Sequence, residues 1–209
     1  MSDELVLYTN PMSRGRIVRW MLEETGAPYR TEVLGYDGAM KSPAYLAINP
    51  MGKVPAIRHG ETVVTEGAAI CAYLADAFPD AGLAPPPGSR ARGPYYRWLF
   101  FAAGPVEAAM GDRMLGVDTS GKETQLGYGS LARLTDVLEA HLEANAYFAG
   151  EAFTAVDVYA GSQIGWGMQF GSLDKRPVFE RYWAKVSARP AAVRAREIDD
   201  ALIPARPAG

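Results

Sequence analysis

An α/β unit ordered βαβαββα, followed by a wholly helical unit, is the fold class that the 209-residue sequence predicts. Three observations carry it. β-favouring runs alternate with helical spacings as far as Phe78. The stretch Pro79-Asp80-Ala81-Gly82-Leu83-Ala84-Pro85-Pro86-Pro87-Gly88 then changes the composition abruptly, as a linker does. Beyond it the β signals fade and apolar residues recur at three and four. The division that follows is residues 1–80, a linker over 81–90 and a helical domain over 91–209.

Leu5-Val6-Leu7-Tyr8 is a short strand ended by Thr9-Asn10-Pro11, and helical spacing begins beyond it at Ile17, Trp20, Met21 and Leu22. Ser13 stands where that helix should begin, and Gly26-Ala27-Pro28 closes it. Tyr29 to Leu34 is a second strand. Gly35-Tyr36-Asp37-Gly38 is loop, and Ser42-Pro43 introduces a short helix reaching Ile48. Val54 to Arg58 and Thr62 to Val64 flank the turn His59-Gly60-Glu61, hence an antiparallel hairpin. A helix follows from Glu66 to Phe78, with Ala69, Ile70, Tyr73, Leu74 and Ala77 on one face.

In the helical part, Tyr95, Trp98, Leu99, Phe101 and Ala102 make one stripe, and Leu131, Leu134, Leu138 and Leu142 mark another helix within Leu126 to Leu142. Thr154 and Asp157 form a capping box before an apolar run toward Trp166. Arg176-Pro177 opens a helix to about Ser187, and Ala188-Arg189-Pro190 separates it from a last short one ending near Ile198. Pro204 to Gly209 reads as a loose tail.

A net charge of −3 with 22% charged residues gives no electrostatic lean toward nucleic acid or an anionic membrane. The acidic start and the early break at Thr9-Asn10-Pro11 provide neither a secretory signal nor a membrane span, so the expected location is cytoplasmic. A lone cysteine, Cys71, excludes an intrachain disulfide and any Cys-x-x-Cys motif. His59 and His141 stand far apart in dissimilar contexts, which gives a metal site little support.

Asn49-Pro50-Met51-Gly52-Lys53-Val54-Pro55-Ala56-Ile57 reads as a sharp turn delivering a strand. Pro55 cannot donate to a ladder, so it belongs at an edge, a first position or a bulge. A trans bond in an ordinary surface turn is the plainer reading. A cis Val54-Pro55 bond would instead direct the N–H and C=O of Val54 away from the sheet, free to pair with an extended peptide-like ligand.

The element order, the proline linker and four local segments together resemble the soluble glutathione transferases over essentially the whole chain. The segments are Leu7 to Ser13 running into Arg19-Trp20, Asn49 to Ile57, Thr65-Glu66-Gly67-Ala68-Ala69-Ile70, and Thr154 to Asp157. The resemblance implies a thioredoxin-like N-terminal domain that binds glutathione as co-substrate, an all-α C-terminal domain that supplies most of the second-substrate pocket, and a homodimer. It implies conjugation of the glutathione thiolate to a small hydrophobic electrophile. Two alternatives stand beside it, a non-catalytic binding or scaffold protein of this fold and a glutathione-dependent thiol-disulfide or peroxide reductase. The reductase is the weaker, because no cysteine stands at the first helix.

A free thiol with a pKa of about 8.5 is mostly protonated at neutral pH, so such an enzyme must stabilise the thiolate with a donor. Two hydroxyls compete for that role by resemblance. Ser13 matches the serine classes, whose flanking residues Asn10-Pro11-Met12 resemble, and Tyr8 matches the tyrosine classes. Ser13 is preferred; its plainer role is a helix cap. Tyr8 is otherwise a half-buried aromatic at a strand end. Glu66 and Gly67 stand where the family receives the γ-glutamyl end of glutathione on an acidic and a hydroxyl residue, so Glu66 fits and Gly67 departs. Lys53 is placed to reach the glycyl carboxylate, or is a plain turn lysine; Val54 would pair with the cysteinyl backbone, and Pro55 would hold that geometry. Met12, Met110, Met114, Trp166 and Phe170 suit an apolar pocket, but helical spacing favours core packing for them. Cys71 reads as a buried filler, and Asp157 as a folding residue.

Overall fold

The computed structural model describes residues 4–203, and the tail expected from Pro204 to Gly209 lies outside them. β1 (Leu5–Thr9), α1 (Gly15–Thr25), β2 (Arg30–Val33), α2 (Pro43–Leu46), β3 (Ala56–His59), β4 (Thr62–Thr65) and α3 (Gly67–Ala77) follow in the order that the periodicity predicts. The strands form one sheet in the order β2-β1-β3-β4; β1 and β2 are parallel, the other neighbours antiparallel. A parallel pair needs a crossover, and α1 provides it. The antiparallel pair β3 and β4 needs only the tight turn at Gly60-Glu61.

Alternation along β1 sends Val6 and Tyr8 to one face and Leu5, Leu7 and Thr9 to the other. The first face is covered by Met40 and by Tyr45 of α2, which with Val6, Tyr8 and Ala56 make a buried cluster. The second face meets α1 and α3, which also pack on each other. α1 is apolar on that side through Ile17, Val18, Met21 and Leu22, and it ends at Gly26, whose N–H donates to Leu22 O at 3.1 Å.

Among the described residues the chain divides into two compact units, one running to Ala81 and resuming at Arg189, the other spanning Gly82–Ala188. The linear division places everything after the linker in one helical domain. The last helix, α9 (Pro190–Ala201), instead packs along α1. Its Ala191, Ala192 and Ala195 are buried, and ion pairs fix its register on α1: Arg19 pairs with Asp199 at 2.7 Å, Arg16 with Asp200 at 2.6 Å, Arg189 with Glu24 at 2.7 Å and Arg194 with Glu23 at 3.1 Å.

The second unit comprises α4 (Arg92–Phe101), α5 (Glu107–Met114), α6 (Leu131–Ala144), α7 (Ala155–Phe170) and α8 (Pro177–Ser187). Residues Ala102–Val106 wind as a π turn around Pro105, which has no N–H to give the preceding turn. α6 starts at Leu131 rather than Leu126, because Ser130 adopts an extended conformation and its hydroxyl accepts from Arg133 N–H at 3.2 Å. α7 is buried almost throughout and is the unit's axis. At its start Asp157 accepts from Thr154 N–H at 2.9 Å, Phe148 N–H at 3.0 Å and Tyr182 O–H at 2.8 Å, so one carboxylate ties three segments together. Burial pushes its pKa up, against the pull of those donors. Among the described residues no helix is long and apolar enough to cross a membrane.

Candidate functional site

The sheet register brings distant segments to one end. Tyr8 pairs with Ala56 and Ala56 with Thr65, while Thr9 pairs with Val33. The loop after β1, the residues before β3, the junction of β4 with α3 and the loop after β2 therefore all leave the sheet at the same edge. Ser13, Lys53-Val54-Pro55 and Glu66-Gly67 are gathered there.

Ser13 occupies a turn that is hydrogen-bonded throughout. Asn10 turns inward, donating from Nδ2 to Leu34 O and accepting Met12 N–H on Oδ1, both at 2.8 Å. The Ser13 N–H and Oγ–H both donate to Asn10 O, at 3.1 Å and 2.7 Å, and Ser13 Oγ accepts Gly15 N–H at 2.9 Å. Ser13 thus makes a serine turn two residues ahead of α1, which begins at Gly15 without a side-chain cap. Gly15 is required there: a Cβ would fall 1.9 Å from Thr9 Oγ1. Ser13 remains half-buried at the open edge, beside exposed Met12.

Tyr8 differs. Its ring points into the cluster under α2, 5.7 Å from the Tyr45 ring, and it is 9% exposed. The two residues that compete in the sequence thus differ in setting: the Tyr8 ring packs in a core face, and Ser13 stands in the loop at the open edge.

The Val54-Pro55 peptide is cis. The turn before it is held by one carbonyl: Lys53 O accepts Tyr45 O–H at 2.7 Å and Asn49 Nδ2–H at 2.8 Å. Burial pushes the Tyr45 phenol up to about 12, so it stays a donor at neutral pH. Gly52 has a φ of 57°, and a Cβ there would lie 2.7 Å from Met40 O. The ladder begins only at Ala56, so Val54 has no strand partner on either side. Lys53 is exposed and makes no ion pair among the described residues.

Glu66 precedes α3 with φ 67° and ψ 117°, the one non-glycine residue with positive φ among the described residues. A left-handed non-glycine residue costs on the order of 1–3 kcal/mol and persists where its surroundings impose it. The carboxylate is exposed, and α3 starts without a side-chain cap, so its first backbone N–H groups are not satisfied by the helix itself. An N-terminus of this kind favours an anion.

Residues 12–77 match the glutathione S-transferase N-terminal domain, and residues 108–190 match the glutathione S-transferase C-terminal domain. Over 203 residues the chain is 30% identical to glutathione S-transferase 3 of Zea mays, covering 90% of each protein. The chain belongs to the glutathione S-transferase family. A solved glutathione transferase of Methylococcus capsulatus is similar at a TM-score of 0.78 and 29% identity, over 95% of this chain and all (100%) of that one. A sphingomonad glutathione S-transferase solved in complex with glutathione is similar at a TM-score of 0.77 and 28% identity, over 93% and 98% of the two chains.

As in the glutathione S-transferase fold generally, a thioredoxin-like domain of mixed four-stranded sheet and helices precedes an all-α one. Of the apolar residues assigned to the core by spacing, Met110 is buried and Trp166 half-buried, while Met12, Met114 and Phe170 are 68%, 60% and 62% exposed. Helical spacing fails for these three because Met12 lies in a turn and the others end their helices. Cys71 is fully buried, and burial drives its thiol pKa upward, away from the reactive thiolate. Sequence reading missed Asn10, Tyr45 and Asn49, which build the two turns. Asn10 before Pro11 and Asn49 before Pro50 are local turn signals that reveal both turns; Tyr45 reaches Lys53 O from α2 and leaves no local mark.

Proposed function

We propose that this protein is a glutathione transferase that binds glutathione at the shared edge of β1, β3 and β4 and activates its sulfur with Ser13. The observation that carries the choice of hydroxyl is the burial of Tyr8 against Tyr45, with Ser13 left at the open edge. The free backbone of Val54 suits the cysteinyl part of an extended tripeptide. Glu66 suits its ammonium, the α3 N-terminus its γ-glutamyl carboxylate, and Lys53 its glycyl carboxylate. Pro55 keeps Val54 out of the ladder.

The hydroxyl of Ser13 rests on Asn10 O. To serve a sulfur it rotates, exchanging that acceptor for the thiolate while Gly15 N–H continues to donate to its oxygen. The thiol proton passes to solvent. The sulfur lone pair then forms a C–S bond with the electrophilic carbon, and the leaving group departs with its electron pair. Binding both reactants and holding the thiolate supply the acceleration. The protein acts in the cytoplasm as a homodimer, for which the exposed Tyr96 and Phe100, one turn apart on α4, offer apolar surface.

Replacing Ser13 by Ala is expected to lower kcat/KM for an activated chloronitrobenzene by about a hundredfold, the scale of one lost oxyanion donor. Tyr8→Phe should stay within about threefold of the parent. Equal activity in Ser13→Ala would overturn the assignment. Gly67 favours a second reading, a glutathione-binding protein without transferase activity, because the family's hydroxyl is missing there. Tight glutathione binding with no turnover of any electrophile is its signature.

A further inference from the structure

The peptide plane between Pro11 and Met12 is gripped from both sides. Its N–H donates to Asn10 Oδ1 at 2.8 Å, and its C=O accepts Arg16 Nε–H at 2.5 Å. A trans peptide is planar, so two bonds at opposite ends fix its orientation, whereas one bond leaves a pivot. That plane leads directly into Ser13. The other end of the same guanidinium donates from Nη2 to Asp200 Oδ1 of α9 at 2.6 Å. Arg16 thus spans from the end of the last helix to the turn carrying Ser13, with its side chain 24% exposed and that of Asp200 55% exposed.

An ion pair this open contributes little to stability, about 0–1 kcal/mol. Its consequence is geometric. The guanidinium is a rigid planar fork, so anchoring Nη2 on Asp200 sets the direction in which Nε–H points. Tyr36 O–H reaches the next carbonyl, Met12 O, at the longer distance of 3.3 Å and from an exposed position.

We propose that Arg16 is a positioning residue for the Ser13 hydroxyl, with Asp200 as its anchor, so that α9 belongs to the apparatus that sets the reactivity of the bound thiol. This rests on the reading of Ser13 as the thiol's donor. With Nε–H on Pro11 O and Nη2 on Asp200, Arg16 acts through the Pro11-Met12 plane. Lysine cannot replace it, because a single ammonium has no fork with which to hold both acceptors in fixed directions.

The test uses the full chain and the variants Arg16→Met, Arg16→Lys, Asp200→Ala and Ser13→Ala. Three quantities are read: amide hydrogen exchange at Met12, glutathione affinity by calorimetry, and the pH titration of bound-thiolate ultraviolet absorbance. In Arg16→Met the Met12 amide should exchange about tenfold faster and the bound thiol's pKa should rise by about one unit, with affinity within about threefold of the parent. Asp200→Ala should move both in the same direction by less, and Arg16→Lys should fall between Arg16→Met and the parent. A Met12 amide or a thiol pKa unchanged in Arg16→Met, while Ser13→Ala shifts the thiol, overturns the role of Arg16 alone. A thiol pKa that Ser13→Ala leaves unmoved overturns the Ser13 reading, and this assignment with it.

Discussion

Arg19 of α1 and Asp199 of α9 form an ion pair at 2.7 Å in which both side chains are only 1% exposed, although they lie 180 residues apart in the sequence. The guanidinium also donates to Tyr29 Oη at 3.2 Å and Thr31 Oγ1 at 3.1 Å, while its Nη2 and the carboxylate's Oδ2 have no hydrogen-bond partner among the described residues. Burial would lower the guanidinium's pKa, and its bonds to Asp199 and Tyr29 more than reverse this. Removing one partner strands the other charge. Arg19→Met should therefore destabilise the fold by about 3–5 kcal/mol, while the double variant Arg19→Met, Asp199→Leu should recover most of that. Urea midpoints measure both. A double variant no more stable than Arg19→Met would show that the pair is not held together by mutual compensation.

Gly15 makes a second prediction close to Ser13. A methyl group there would meet Thr9 Oγ1 at 1.9 Å and Ser13 Oγ at 3.1 Å, between a buried strand end and the turn. Gly15→Ala should lower stability by about 1–3 kcal/mol, the cost of overpacking a tight site. Thr9 Oγ1 has no hydrogen-bond partner among the described residues, so Thr9→Ala removes the obstacle without breaking a bond seen there. Combining the two should restore most of the loss in a denaturation experiment. If Thr9→Ala brings no relief, the close approach of α1 to β1 is not the reason for glycine.

The strands and helices of the first unit were legible because apolar spacing, Gly26 and the Ser42-Pro43 cap are local signals. So was the capping box of Thr154 and Asp157. That Val6 and Tyr8 share a face also follows from the period of two, but which face is covered by α2 depends on where Tyr45 folds back. Sequence alone thus left Ser13 and Tyr8 in competition. The docking of α9 was invisible for a related reason: Arg19 and Asp199 are ordinary charged residues on two amphipathic helices until the chain brings them together. The gathering of Ser13, Val54 and Glu66 at one edge came from family resemblance. Its physical basis, the register Tyr8 to Ala56 to Thr65, needed the sheet.

His141 gives a pH-dependent prediction in the helical unit. Its ring lies 4.1 Å from that of Trp98 and stacks 5.5 Å from that of Phe148. Nε2 lies 3.1 Å from the Phe148 carbonyl, which only accepts, so Nε2 carries the proton; Nδ1 is then free to accept from Asn145 Nδ2 at 3.3 Å. Burial, and then the charge of Arg97, hold its pKa below the ordinary value, against the bond to Phe148 O. The unfolded chain consequently takes up the proton first as the pH falls. Stability from this group is complete above about pH 6.5 and declines on acidification below it. Denaturation midpoints from about pH 7.5 to about pH 5.5 should fall less steeply in His141→Gln, which keeps a donor for Phe148 O but does not titrate. Identical slopes would mean that His141 is not the group responsible.

Gly67 offers the most direct functional test. It stands at the first position of α3 without positive φ, so the backbone accepts a side chain there. A serine would add a hydroxyl donor beside the uncapped N–H groups at which the γ-glutamyl carboxylate is proposed to sit. A hydrogen bond to a charged partner is worth about 1.5–3 kcal/mol, so Gly67→Ser should tighten glutathione binding by about tenfold or more. Gly67→Ala is the control, because it adds the carbon and the lower backbone entropy of a non-glycine residue but no donor. Calorimetry on both variants separates the hydroxyl from the backbone. Equal affinities for the serine and alanine variants would place the carboxylate elsewhere, leaving Glu66 and Val54 as the contacts still to be tested.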